Sequence, residues 1–122
     1  MAGFAVDGGE LVVRLGVWER LGAFRGDVRV PLRAVRVVRV STDPWSELRG
    51  VRAPGTGFPG VVSLCTRRGA GVKDFAAVYG RRPAVVVEAE GADFDRLVVS
   101  CADLDRARAW AAQLTEAAAG AR

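Results

Sequence analysis

The stretch Arg49-Gly50-Val51-Arg52-Ala53-Pro54-Gly55-Thr56-Gly57-Phe58-Pro59-Gly60 follows no hydrophobic period, and it constrains the chain more than any other segment. Its four glycines and two prolines alternate free and fixed backbone dihedrals, which works against a helix and an interior strand alike. The expectation is an irregular loop between two β-rich halves, ordered only by tertiary contacts. Loops of this kind often carry binding residues.

The segments on either side read as short β-elements. Residues 1–9 end in Asp7-Gly8-Gly9 and read as a flexible lead, followed by a first strand at Glu10-Leu11-Val12-Val13-Arg14-Leu15. Val17, Trp18, Leu21 and Phe24 have the spacing of a single helical turn or bent strand that presses an apolar side on the core, with Trp18 as a core anchor. Val28-Arg29-Val30 alternates as a strand, Pro31 stops it, and Leu32-Arg33-Ala34 is read as one helical turn. In Val35-Arg36-Val37-Val38-Arg39-Val40 the two arginines have opposite parity, so a β-bulge near Val37-Val38 is needed to return both to solvent. Pro44-Trp45-Ser46-Glu47-Leu48 after Thr42-Asp43 suits a short helix.

Beyond the central stretch, runs starting at Val61, Lys73, Ala84 and Phe94 read as antiparallel strands joined by turns at 67–71, 80–83 and 90–93. The last segment changes period. Leu104, Ala107, Ala111 and Leu114 recur at helical spacing beside Trp110, which predicts an amphipathic helix over 102–118, opened by Ser100 and Asp103.

Composition bounds the function. A chain of 122 residues with half of them hydrophobic fits one domain over 10–122, with no signal segment and no apolar run of transmembrane length, and a cytoplasmic location is expected. The net charge of +4 and pI near 10.0 raise nucleic-acid binding as an alternative function, yet Lys73 is the only lysine. Arginine in a chain this rich in Ala, Val and Gly fits a high-GC codon bias, which scatters solubilising charge and does not gather a groove. There is no histidine, so the commonest general base and metal ligand is missing, and two cysteines are the only soft ligands. No metal, no cofactor and no catalytic residue is expected. Gly55-x-Gly57-x-x-Gly60 matches a dinucleotide fingerprint in letters alone, because Pro59 and a Val-rich strand stand where the phosphate-binding helix would begin.

With about seven antiparallel strands and one closing helix that carries Trp110, the chain resembles a pleckstrin-homology-like (PH-like) domain of the small bacterial type. Val30-Pro31-Leu32-Arg33-Ala34-Val35, the hairpins from 61 to 99 and the helix carry that resemblance, which is closest in character to small actinobacterial proteins. It implies an α+β, mainly β fold, a PH-like split barrel capped by a C-terminal amphipathic helix. It also implies a binding or assembly scaffold for a protein partner, a second copy of the chain or a lipid headgroup. The Lys-rich first hairpin of phosphoinositide binders is absent here.

If consecutive turns alternate between the ends of an antiparallel sheet, the 80–83 turn brings Arg81 and Arg82 toward Arg49 and Arg52, with Thr56 and Phe58 between them. That basic patch is the candidate ligand-binding site, for an acidic protein segment or a phosphate. The alternative is a loop tied down by Asp103 and Asp105. Cys65 and Cys101 are expected to be free thiols too far apart to bridge.

Overall fold

A computed structural model describes residues 2–23, 26–58 and 60–121, apart from the side chains of 51–54. Among these residues it has nine strands, two helices and two single 3-10 turns, in the order β1 (Gly3–Asp7), β2 (Glu10–Arg14), α1 (Val17–Ala23), β3 (Val28–Pro31), a turn at Leu32–Ala34, β4 (Val35–Ser41), a turn at Pro44–Glu47, β5 (Val51–Phe58), β6 (Val62–Gly69), β7 (Val72–Tyr79), β8 (Ala84–Ala89), β9 (Arg96–Ser100) and α2 (Leu104–Gly120). The architecture is mainly β with a C-terminal helix. It has a three-stranded sheet, β1-β2-β3, and a six-stranded sheet, β4-β8-β9-β7-β6-β5, which do not close into a barrel.

Two expectations change at once. The N-terminal lead is a strand, since Gly3–Asp7 pairs antiparallel with Glu10–Arg14 across Gly8 and Gly9, both at positive φ. Phe4 explains the gain in order, because it is buried and its ring lies tilted at 5.6 Å from that of Trp110 of α2. The central stretch is not an irregular loop either. Val51–Phe58 forms edge strand β5 against β6, where a proline costs no ladder bond and the register shift between Arg52 and Gly55 takes up the misfit.

The strand order departs further from a meander. β9 inserts between β8 and β7 and runs parallel to β7, so β7 and β8 are not hairpin neighbours. The sequence of β9 suits a central position, because Leu97, Val98 and Val99 are consecutive and all buried, as a strand covered on both faces requires. Side-chain period 2 then sorts the six-stranded sheet into two faces. One face, with Phe75, Ala77, Val85, Val87, Leu97 and Val99, packs in the main core with the small sheet and the Ala107, Leu114 and Ala118 stripe of α2. The other, with Ala76, Val78, Ala84, Val86 and Val98, is covered by Trp45 and Leu48.

The bulge in β4 falls at Arg36, one residue earlier than the parity argument placed it. Arg36 is thereby exposed, while Arg39 lies half-buried on the second face. The cap of α2 is Asp103, whose side chain accepts from the Arg106 amide at 2.8 Å, so the helix begins at 104. Cys65 and Cys101 are both buried free thiols. Cys65 pairs in register with Ala76 of the second face, whereas Cys101 belongs to the main core, so the sheet itself separates them.

Candidate functional site

The topology puts β4 and β5 at opposite edges of the six-stranded sheet, so the nine residues 42–50 between them must cross four strands. Five inter-strand gaps span about 24 Å, against a reach of about 30 Å for nine extended residues. The segment is therefore a taut strap over the second face. It is tied down at Trp45, Glu47, Arg49 and Gly50. The Trp45 indole Nε1 donates to the Gly80 carbonyl at 2.7 Å. Arg39 of β4 donates both Nη atoms to the Glu47 carboxylate at 2.7 and 2.8 Å, and Arg96 of β9 donates to the Glu47 carbonyl at 2.9 Å. Arg49 makes a bidentate pair with Asp74 of β7, 2.8 Å at both contacts. Arg67 of β6 donates Nε and Nη2 to the carbonyls of Arg49 and Gly50 at 3.1 and 2.9 Å.

The register aligns Glu88, Arg96, Asp74 and Arg67 in one row across the sheet, with Arg52 at the next register position in β5. Hydrogen bonds from Arg39 hold the Glu47 carboxyl below its ordinary value, and those from Arg96 do the same for Glu88, each outweighing the opposing effect of burial. The contribution to stability is thus full above the unfolded carboxylate pKa and is lost as pH falls through the lower folded values. Thermal midpoints measured from neutral pH down into the acid range should fall below about pH 4.5, and Glu47→Gln should flatten that limb. An unchanged acid limb in the variant would show that the strap is not held by this carboxylate.

The residues expected to form one basic patch are distributed over the sheet. Arg49 is the clamp on Asp74, and neither Asp103 nor Asp105 pairs with it. Arg52 pairs in register with Arg67 at the same end, and its side chain lies outside the described residues. Thr56 donates to the Gly22 carbonyl at 3.0 Å and so anchors α1. Phe58 is exposed at the other end of β5, and Arg81 stands in the turn after Tyr79, also at that end, since Val62 pairs with both Phe58 and Tyr79. Arg82 closes the same turn through its amide to the Tyr79 carbonyl. A full strand length therefore separates Arg49 and Arg52 from Arg81 and Arg82, and the shared patch does not form. The expectation from alternating turns failed because it ran the central stretch as a loop, whereas strand β5 carries its two ends apart.

The turns at 70–71 and 90–95 share an end of the sheet, because β7 and β9 run parallel. Lys73 pairs with Asp93 at 3.1 Å and lies over the Phe94 ring at 4.6 Å. Arg20, Arg29, Arg36, Arg39, Arg49 and Arg96 are likewise in ion pairs.

One surface was read inside out in the sequence. Helix α1 packs on β5 and β6 through Gly22, where an added Cβ would lie 3.1 Å from Thr56 Oγ1 and 3.2 Å from Leu64 Cδ2, and through the buried Ala23. Its inward carboxylate, Glu19, accepts from the Tyr79 hydroxyl and from the Gly16 amide. So close a seat takes small residues, and the bulky stripe turns outward: Val17 is 72% exposed, Trp18 83% and Leu21 62%. Phe24 lies outside the described residues. The Glu19–Tyr79 bond sets the first turn of α1 at the end of the sheet where Phe58 and Val61 are also exposed. Exposed large side chains thus gather on one end. A helical spacing marks such a stripe but cannot tell which side of it meets the sheet.

Among the described residues no group of His, Cys, Asp and Glu could hold a metal, and no helix is long and apolar enough to cross a membrane. No family model matches the chain, and neither does any curated protein or solved structure.

Proposed function

We propose that this chain is a non-catalytic binding module with a PH-like arrangement of sheets and closing helix, and that its partner is a second copy of itself. The observation that carries this is the outward stripe of α1. Single exposed apolar residues are ordinary, but a helix that presents Val17, Trp18 and Leu21 beside exposed Phe58 and Val61 offers a contiguous apolar surface that a soluble monomer rarely leaves open. Tryptophan is also the side chain that most often anchors an interface. The unshared edge of β5 runs alongside and favours pairing. A reducing, cytoplasmic setting belongs to the same reading and agrees with two buried thiols on opposite faces.

Light scattering across a hundredfold concentration range should show dimers or larger species, and Trp18→Glu should convert them to monomer. Because Trp18 makes so little of the core, the variant should unfold within about 0.5 kcal/mol of the parent monomer. A wild-type monomer over the whole range would overturn the proposal. The arginine ion pairs weigh against the nucleic-acid alternative, whose signature would be retention of DNA at low salt and steep release as salt rises.

A further inference from the structure

The small sheet has an edge that the fold leaves open. Of the four strands that end a sheet, three carry the features that blunt an edge. β3 holds Arg29 and ends at Pro31, β4 has its bulge at Arg36, and β5 slips register between Arg52 and Gly55, so that only its second half is regular. β1 has none of these. Gly3-Phe4-Ala5-Val6 carries no charge and no proline, and it pairs with β2 in one unbroken register. Antiparallel pairing uses the N–H and C=O groups of alternate residues only, and among the described residues β1 has no second strand beside it to receive the others.

A groove lies along that edge. Two cavities of about 310 and 410 Å³ share Trp110 of α2 as a wall, and the first touches Ala2, Gly3 and Phe4, the second Ala5 and Val6. Consecutive residues of a strand point to opposite faces, so cavities that touch them in succession border the edge of the strand and not one of its faces. The far wall is α2, where Arg106, Trp110, Gln113 and Ala117 recur at helical spacing and share one side. From Arg106 to Ala117 the helix rises about 16 Å, the length of about five residues of strand, and β1 has five residues. Charge marks the two ends. Arg106 lies at the Ala2 end and Glu116 at the Val6 end, and among the described residues neither side chain has an ion pair. The Asp103 carboxylate is taken up by the Arg106 amide, and Asp105 lines neither cavity. Burial raises the Cys101 thiol pKa, opposed by a bond with the Val85 backbone and by the Arg106 charge, which sets that charge near the cavity that Cys101 lines.

We propose that this groove takes an extended peptide of a partner protein as an added strand on β1, with apolar side chains on either side of Trp110, an acidic residue at Arg106 and a basic one at Glu116. Main-chain bonds supply the affinity in this mode, and the side-chain pockets supply the selectivity. The α1 stripe takes no part in it. The probe is acetyl-Lys-Thr-Val-Thr-Val-Thr-Asp-amide, titrated against the full chain and read by NMR through the amides of residues 3–7 and the Trp110 indole N–H. Both should move, with a dissociation constant of about 100 μM, the modest affinity of a short segment that is ordered only on binding. The Trp18 and Trp45 indoles should stay in place, and Trp18→Glu should leave the constant unchanged. Exchanging the peptide's Asp for Lys should weaken binding about fivefold, because either strand direction then sets a lysine against Arg106. Arg106→Glu should reverse the preference between the two peptides, and glutamate suits the first turn of a helix, so the variant keeps α2. Equal binding of the two peptides would overturn the proposal, as would movement of Trp110 without the β1 amides, or no movement of either at about 2 mM, twenty times the expected constant. Movement of the β1 amides on concentrating the chain alone would give the edge to a second copy and overturn it equally.

Discussion

Phe75→Ala should cost the fold about 3–5 kcal/mol, the largest loss expected from any single truncation here. Phe75 is fully buried near the middle of the six-stranded sheet, on the face that meets the main core, and its ring meets that of Phe94 edge-on at 6.2 Å and 80°. Three contributions are lost together: transfer of the ring from water, the aromatic pair, and the packing of a cavity that strands on both sides, β9 and β6, are too rigid to fill. For a domain with a total stability of about 5–15 kcal/mol, this moves the thermal midpoint down by about 10–20 °C. Chemical denaturation followed by tryptophan fluorescence measures it directly. A loss below about 1.5 kcal/mol would mean that the two faces of the sheet are assigned wrongly.

Arg49→Met should cost about 3 kcal/mol, at the lower end of the range for breaking a buried ion pair. The Asp74 side chain is only 3% exposed and both its oxygens are bonded to Arg49, so removal of the guanidinium strands a carboxylate beneath the strap. The lower end applies because the Arg49 side chain is 35% exposed, and water can reach part of the vacated space. Adding Asp74→Asn should restore a substantial part of the loss, since the stranded charge then disappears with its partner. A single variant as stable as wild type would return Arg49 to the status of a free surface cation. Strictly additive single variants would show that the pair does not act as a unit.

That result also bears on how much of the site was legible in advance. Arg49 was singled out in the sequence, and it does hold the strap, but through a pair with Asp74 that the sequence reading did not contain. Arg67 was read as a turn residue, yet it reaches the strap because β6 is three residues longer than its apolar run suggests. A cue was present: Arg67 and Asp74 are seven residues apart around Gly69-Ala70-Gly71, which makes them cross-strand neighbours of opposite charge in a tight hairpin.

By itself the sequence determined the local elements. Alternation in Val28-Arg29-Val30, Pro31 before one helical turn and the stripe through Leu104, Ala107 and Leu114 are short-range patterns, and each became the element they encode, whereas the cap moved from Ser100, which ends β9, to Asp103. What only the tertiary structure decided was which of these elements touch. The insertion of β9 between β8 and β7, the crossing of the sheet by residues 42–50, and the outward turn of Trp18 all depend on contacts between residues far apart in the chain. Period and propensity say that a segment has an apolar side. Which neighbour covers that side is settled by competition for burial among all the elements at once, and for α1 the small residues Gly22 and Ala23 won the close seat against Thr56 and Leu64.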